Sequence, residues 1–159
     1  MIGQMTVLLR LKRLKEEQAL RALQAKRREV TAAEEALAQA RAAVAASAAS
    51  LPAREDAIYA AILYRVVDPD DLEETRGAVE ALRREHLRLV DAAERAAYVL
   101  HRLAEELAER VQAHLRAART TEKYDLVRGD LVAVADAAAA VAEENEVDEM
   151  FGSRRQEVA

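Results

Sequence analysis

The sequence predicts an all-α fold, a long antiparallel two-helix coiled-coil hairpin, and three observations support this. Among 159 residues there are 37 Ala and 19 Leu, whereas aromatic residues make up 3% and only four Gly and two Pro occur. Apolar residues recur at intervals of seven along two long stretches, and a short turn signal separates the two stretches. Such a composition, with 33% charged residues, is typical of long helices and excludes α/β enzyme domains and β-sandwiches, which need frequent turn residues.

The first helix is expected over about residues 6–66. Large apolar residues occupy every seventh position without a break, and small residues fill the positions three further on. The large residues are Leu23, Val30, Leu37, Val44, Leu51 and Ile58, and the upstream continuation is expected at Val7, Leu11 and Leu14. Because the seven-residue spacing passes through Pro52, we expect a bend at this proline and not a break in the helix.

The turn is expected at about residues 67–69 and the second helix at about 69–142. Asp68 can cap the helix, Pro69 fits its first position, and the acids that follow complement the positive end of the dipole. Further along, the apolar stripe is expected to step to Val111, Leu115 and Ala118, a slip that locally unwinds a supercoil. Residues 143–159, called the acidic tail here, are expected to fray.

The short turn makes the two helices antiparallel, and residue i is expected to lie opposite about residue 135 − i. The whole chain, residues 1–159, then forms one hairpin domain. Charge is distributed unevenly along it: residues 1–28 hold 8 basic and 2 acidic residues, and residues 129–159 hold 2 basic and 8 acidic ones.

Several function classes are not expected from these residues. The glycines form no phosphate-binding loop, there is no Cys, and carboxylates on a slender hairpin lack a cleft that would perturb their pKa values. No cofactor, metal or catalytic residue is therefore predicted. An acidic chain without a platform of aromatic residues is not expected to bind nucleic acid, and its short apolar runs predict no membrane insertion. His86, on the apolar stripe, is interpreted as a residue that fixes the helix register, with a titrating role as the alternative.

Three surfaces are candidates for contact with a partner. The basic end comprises residues from both chain termini that the antiparallel register brings together: Arg10, Lys12, Arg13, Lys15, Arg119, Lys123, Tyr124 and Arg128. It is either a docking site for an acidic protein or a solvated face. The tip patch, beside the turn, is either a contact patch or a local cap: Tyr59, Ile62, Leu63, Tyr64 and Val67. The acidic tail, ending its acidic run with Met150 and Phe151, is either a short docking segment or frayed.

Short stretches near both ends of the chain resemble a known family. They are the opening Leu8-Leu9-Arg10-Leu11-Lys12-Arg13-Leu14-Lys15, the stretch Ala118-Arg119-Thr120-Thr121-Glu122-Lys123-Tyr124 followed by Leu126-Val127, and the close Glu149-Met150-Phe151. All three stretches are similar to sequences of the YscO/FliJ family. Members of this family are stalk proteins of bacterial type III secretion and flagellar export ATPases, and the chain is closer to the YscO branch. The second stretch is one residue shorter than the family's A-R-x-x-E-x-K-aromatic pattern.

The resemblance implies a function and a set of partners. It implies a hairpin similar to the γ-subunit coiled coil of rotary ATPases, without enzymatic activity, that acts as the central stalk of a hexameric type III secretion ATPase. The implied partners are that ATPase, an export gate protein and secretion chaperones. The implied location is the cytoplasmic face of the secretion apparatus, and whether the protein is itself exported stays open. The alternative from the residues alone is a self-associating structural coiled coil or a chaperone-like scaffold.

Overall fold

The computed structural model describes residues 1–158, which form two long helices. Helix α1 spans Ile2–Ala60 and helix α2 spans Pro69–Glu157, and no strand occurs among the described residues. Ion pairs join the two helices in antiparallel order, for example Arg13 with Asp125 and Arg83 with Glu55. The predicted all-α helical hairpin is therefore confirmed.

Helix α1 begins earlier and ends earlier than the sequence predicted. It starts at Ile2 and ends at Ala60, about six residues before the expected end. The amides of Ile62 and Leu63 both donate to the carbonyl of Tyr59, at 3.1 and 3.2 Å. Tyr64 then adopts a left-handed φ of 65°, a conformation that cannot continue a right-handed helix. Pro52 lies inside α1, so the helix continues through this residue as expected.

Helix α2 begins at Pro69, the position that the capping signal indicated. The Asp68 carboxylate accepts a hydrogen bond of 2.7 Å from the amide of Asp71, and the Asp68 carbonyl accepts one of 3.2 Å from Leu72. Asp70 and Asp71 occupy the first turn, where their charges face the positive end of the helix dipole. The side chain of Asp68 thus satisfies one of the free amides of the new helix.

The expected end of α2 near residue 142 is wrong, because the helix continues to Glu157. Residues 143–157 contain no proline, and the Glu, Met, Arg and Gln among them favour the helical state. Arg154 and Arg155 lie in the last turn, where positive charge complements the negative end of the dipole. The acidic tail is thus an extension of α2; its last residue, Ala159, lies outside the described residues.

The chain divides into two compact units, each containing parts of both helices. The terminal unit comprises Met1–Leu23 and Arg110–Ala159, and the turn unit comprises Gln24–Glu109. In the turn unit the buried side chains are Leu37, Val79, Leu82, Ser47 and Thr75. In the terminal unit they are Leu9, Leu23 and Thr121.

The packing stripe in the terminal unit differs from the predicted one. Leu9 is 2% exposed, whereas Val7, Leu11 and Leu14 are each about half exposed. Leu9 lies two heptads before Leu23, so the seven-residue phase of α1 extends unchanged to the start of the helix. Glu16 occupies the intervening heptad position, so apolar residues alone do not reveal this phase.

The predicted slip in the apolar stripe of α2 is also corrected. Leu115 is among the exposed large apolar residues, whereas the neighbouring His114 is half-buried and Thr121 is buried. His114 and Thr121 keep the seven-residue phase that begins at Val79. The packing stripe of α2 therefore continues in one phase, with the polar residues His114 and Thr121 at positions where apolar residues were expected.

In each unit the partners across the two helices follow the predicted antiparallel register within about one helical turn. In the terminal unit Arg128 Nε donates to Thr6 Oγ1 at 3.3 Å. In the turn unit His86 Nδ1 lies 2.9 Å from Ser47 Oγ. Ser47 is buried in the run of small residues that the sequence predicted to allow close approach of the helices.

Candidate partner-binding surfaces

The structure brings the residues of the basic end together within the terminal unit. Arg13 forms an ion pair of 3.3 Å with Asp125 across the two helices. The Lys12 ammonium lies 5.1 Å from the centroid of the Tyr124 ring, within the range of a cation–π interaction. With the hydrogen bond of Arg128 to Thr6, these contacts join the start of α1 to the second helix. Part of the predicted basic end therefore holds the two helices together.

Four other cations of the basic end are exposed and available to a partner. Arg10, Lys15, Arg119 and Lys123 are exposed, and none of them forms an ion pair with another described residue. A cation without a carboxylate partner attracts acidic surfaces, most strongly at low ionic strength. The eight predicted residues thus separate into those with contacts inside the hairpin and these four free charges.

Exposed apolar side chains accompany the free charges, a feature that the sequence reading missed. Val7, Leu8, Leu11 and Leu14 on α1 are each about half exposed, and Leu126 on α2 is more than half exposed. The sequence reading had placed most of these side chains in the packing stripe. Because the terminal unit buries Leu9 instead, its surface combines positive charge with apolar area.

The tip patch is largely open to solvent. Tyr64 is fully exposed and Tyr59 and Leu63 are about half exposed, whereas Ile62 and Val67 are half-buried. Arg65 forms an ion pair of 3.4 Å with Asp71 beside the patch. Two of the five predicted residues therefore pack locally, and the other three present aromatic and aliphatic surface.

Charge pairs connect the two helices in the turn unit. Lys26 Nζ lies 2.7 Å from a carboxylate oxygen of Glu106 and 2.7 Å from one of Glu29, and the hydrogen bond to Glu106, followed by that to Glu29, raises the pKa of the Lys26 ammonium. Arg83 donates to both carboxylate oxygens of Glu55, at 2.7 and 3.4 Å, and this hydrogen bonding lowers the pKa of the Glu55 carboxyl. These pairs connect α1 and α2 within the turn unit.

The three histidines do not form a common site. His86 pairs with Ser47, and the exposed His101 lies 3.3 Å from Glu105 on the same helix. His114 Nδ1 is buried and has no hydrogen-bond partner among the described residues. Over residues 1–158, no group of His, Asp and Glu side chains is arranged to hold a metal ion. Neither helix, in the part of the chain described, has the length and apolar character needed to cross a membrane.

Comparisons with known proteins give one family and one solved structure. The family model described as "Type III secretion protein YscO" matches residues 5–153. The crystal structure of type III secretion protein YscO from Vibrio parahaemolyticus has a TM-score of 0.86 to this chain, with 22% sequence identity and 93% of each chain covered. At this identity the likeness shows a shared fold. No curated protein matches the sequence.

Proposed function

The chain belongs to the YscO family of type III secretion proteins, whose model matches residues 5–153, and we propose that it is the non-enzymatic central stalk of a type III secretion ATPase complex. In this role it contacts the hexameric ATPase, couples it to the export gate protein and binds secretion chaperones. Its place is then at the cytoplasmic face of the secretion apparatus. The family match over nearly the whole chain carries this proposal.

The surface of the terminal unit supports a docking role at the ATPase. Arg10, Lys15, Arg119 and Lys123 are exposed and unpaired within the described chain, and exposed apolar side chains such as Leu11 lie among them. Positive charge accelerates the encounter with an acidic partner, and the apolar area stabilises the complex once it has formed. The basic end is therefore assigned to the ATPase in this proposal.

The tip patch is assigned to the export gate protein. Tyr59, Leu63 and Tyr64 expose aromatic and aliphatic surface, and tyrosine is enriched at the energetic centres of protein interfaces. Replacing all three by Ser should weaken binding to the gate protein and leave binding to the ATPase unchanged. A pull-down with each purified partner measures both effects, and loss of both interactions together would contradict the assignment.

The main test is binding to the cognate hexameric ATPase by co-purification, together with a change in ATP turnover when this protein is added. Reversing the four free cations of the basic end to Glu (Arg10, Lys15, Arg119 and Lys123) should weaken binding at least about tenfold at low salt, and by less at high salt. Circular dichroism should show unchanged helicity.

A matched control changes the net charge by the same amount at a different place. Arg28, Arg41, Arg88 and Arg95 are exposed in the turn unit and form no ion pair with the described residues. Reversing these four to Glu should leave the affinity for the ATPase close to that of the wild type. Equal loss in both variants would show that binding depends on net charge alone, and no binding of the wild type at low salt would refute the stalk proposal.

A further inference from the structure

The last part of α2 has no partner within its own chain. Arg128 lies beside Thr6, so α2 passes the start of α1 at about residue 132 and continues alone. Every residue from 133 to 158 is exposed. The helix to Glu157 therefore extends roughly 38 Å beyond the start of α1 at 1.5 Å per residue.

This free extension carries a short apolar face, because Val147, Met150 and Phe151 have the i, i+3, i+4 spacing of one side of a helix. Val141, Val147, Met150 and Phe151 are all exposed, the last two by more than half. Its acids at 143, 144, 146, 148 and 149 and its bases at 154 and 155 form no ion pair with any described residue. A lone helix with exposed apolar side chains and unpaired charges is suited to pack against another helix.

The complementary surface is present at the start of α1. Residues 10–14 read Arg-Leu-Lys-Arg-Leu and residues 146–150 read Glu-Val-Asp-Glu-Met. Both stretches have the same order of charged and apolar positions, with every charge reversed in sign. Side by side in parallel, the two stretches place Leu11 beside Val147 and Leu14 beside Met150. Arg10 and Lys15 then flank the leucines of α1, and Glu144 and Glu146 flank Val147 and Met150, so that opposite charges meet at both edges of the contact. All of these apolar side chains are exposed in the single chain.

The two stretches cannot meet within one chain. The two helices are antiparallel and α2 leaves the hairpin where α1 begins, so residues 146–150 point away from residues 10–14. A second copy approaching with its own terminal unit presents α1 in the parallel direction. We infer that two copies of this chain associate through their terminal units, the extension of each lying along the start of α1 of the other.

The dimensions of the terminal unit agree with this arrangement. Residue 146 lies about 14 residues, or roughly 21 Å, beyond the start of its own α1, and residue 10 lies roughly 12 Å inside the start of the partner's α1. The two α1 helices then begin roughly 9 Å apart along the axis, and neither blocks the other. Asp136 falls between them, where its carboxylate faces the positive ends of both helices.

Charge favours this pairing over a pairing of the two extensions. Two extensions side by side would bring acids at 143–149 close to the same acids, and like charges repel. Against α1 the acids at 144 and 146 meet Arg10 and Lys15, neither of which forms an ion pair with a described residue of its own chain. The interface is isologous, because each copy contributes one extension and one start of α1. It shares Arg10, Lys15 and Leu11 with the surface assigned to the ATPase, but its test uses the purified chain alone, so failure of the dimer and failure of the proposed function are distinguishable.

The test uses two charge-reversed variants and sedimentation velocity. The wild type should be dimeric at low salt and dissociate as salt increases. Arg10→Glu/Lys15→Glu and Glu144→Arg/Glu146→Arg should each weaken the dimer at least about tenfold, because each variant opposes like charges, and none of these four residues forms an ion pair with a described residue of its own chain. An equimolar mixture of the two should form a heterodimer of near wild-type affinity, because both contacts then regain opposite charges. Arg28→Glu/Arg41→Glu is the control that leaves the wild-type dimer intact.

Disulfide trapping tests the alignment without changing any charge, and the chain contains no cysteine of its own. A mixture of Leu11→Cys and Val147→Cys chains should give a crosslinked heterodimer under mild oxidation. Leu11→Cys mixed with Val134→Cys, about 20 Å further back along α2, should crosslink at least about tenfold more slowly. Any of three results would overturn the inference. The wild type could be monomeric at high micromolar concentration, the mixture of the two charge-reversed variants could stay monomeric, or crosslinking could be equal at residues 134 and 147.

Discussion

Two leucines of α2 should respond very differently to the same substitution. Leu82 is 6% exposed and Leu87 is 58% exposed, and both lie in the turn unit five residues apart on one helix. Leu82→Ala removes packing between α1 and α2, whereas Leu87→Ala removes a side chain that lies mostly in water. The pair therefore tests whether the hairpin depends on one narrow stripe of buried side chains.

The magnitudes follow from the buried area. Replacing a fully buried Leu by Ala removes about three methylene equivalents, or about 2.4 kcal/mol. Because Leu82 is almost fully buried, nearly all of this energy applies to it. The cavity that Leu82→Ala leaves raises the expected loss of unfolding free energy to about 3 kcal/mol. Less than half of Leu87 is buried, so we expect about 1 kcal/mol or less, reduced further by the higher helix propensity of Ala.

Urea denaturation followed by circular dichroism measures both losses. The expected difference of about 2 kcal/mol between the variants corresponds to a difference of roughly 4–8 °C in Tm for a chain of this length. If Leu87→Ala destabilised the protein as much as Leu82→Ala, the packing stripe would not be the main source of stability. A loss below about 1 kcal/mol for Leu82→Ala would refute the reasoning in the same way.

Three further outcomes are expected from contacts in the structure. Ser47→Ala should cost about 1 kcal/mol in urea denaturation, because it removes the hydroxyl that contacts His86 at 2.9 Å; no loss would mean that this contact does not stabilise the fold. Arg83 lowers the pKa of Glu55, so this carboxylate stabilises the fold above its unfolded pKa, and the contribution disappears as pH falls through the lower folded pKa. Glu55→Gln should therefore lose less stability than the wild type on acidification through the carboxyl range in thermal unfolding, and parallel pH curves would contradict the assignment. A Cβ added at Gly152 has nothing within 4 Å, so Gly152→Ala should stabilise the end of α2 by about 0.5–1 kcal/mol and slow hydrogen exchange there; unchanged exchange would argue against a helix at this position.

The two helices and their order were predictable because their signals are local. The heptad recurrence from Leu23 to Ile58 defines a packing stripe, and Asp68 before Pro69 defines a helix start. Both signals depend on a few neighbouring residues. The antiparallel register then follows from the position of the turn, since little else can vary in a two-helix hairpin.

The errors arose where polar residues occupy packing positions. Glu16 hides the heptad that connects Leu9 to Leu23, and His114 and Thr121 hide the one that continues from Val79. A pattern drawn from apolar residues alone therefore places exposed residues such as Leu11 and Leu115, which lie on adjacent faces of the helices, in the packing stripe. Likewise, the acidic composition of residues 143–157 suggested fraying, although the intrinsic propensity of these residues favours a helix.

The sequence predicts which residues the candidate surfaces contain, but it does not predict which of them are paired, buried or exposed. The antiparallel register brings Arg13 and Lys123 to one end, but only the structure shows that Arg13 is paired with Asp125 and that Lys123 is exposed. Which side chains at the tip pack locally depends equally on the path of the turn. Tyr64 adopts a left-handed conformation there. Because non-glycine residues seldom adopt a positive φ, the sequence does not predict this conformation.

The antiparallel arrangement also determines the order in which contacts can form during folding. Arg83 and Glu55, near the turn, are separated by 28 residues, whereas Arg13 and Asp125 are separated by 112. The entropic cost of closing a loop increases with its length, so pairing starts beside the turn and proceeds toward the chain termini. Each pair already formed shortens the loop that the next one must close. Reversal follows the same path, so the terminal unit can open while contacts near the turn persist. The basic end and the free extension of α2 therefore belong to the part of the hairpin that forms last and opens first, whereas the tip patch belongs to the part that forms first.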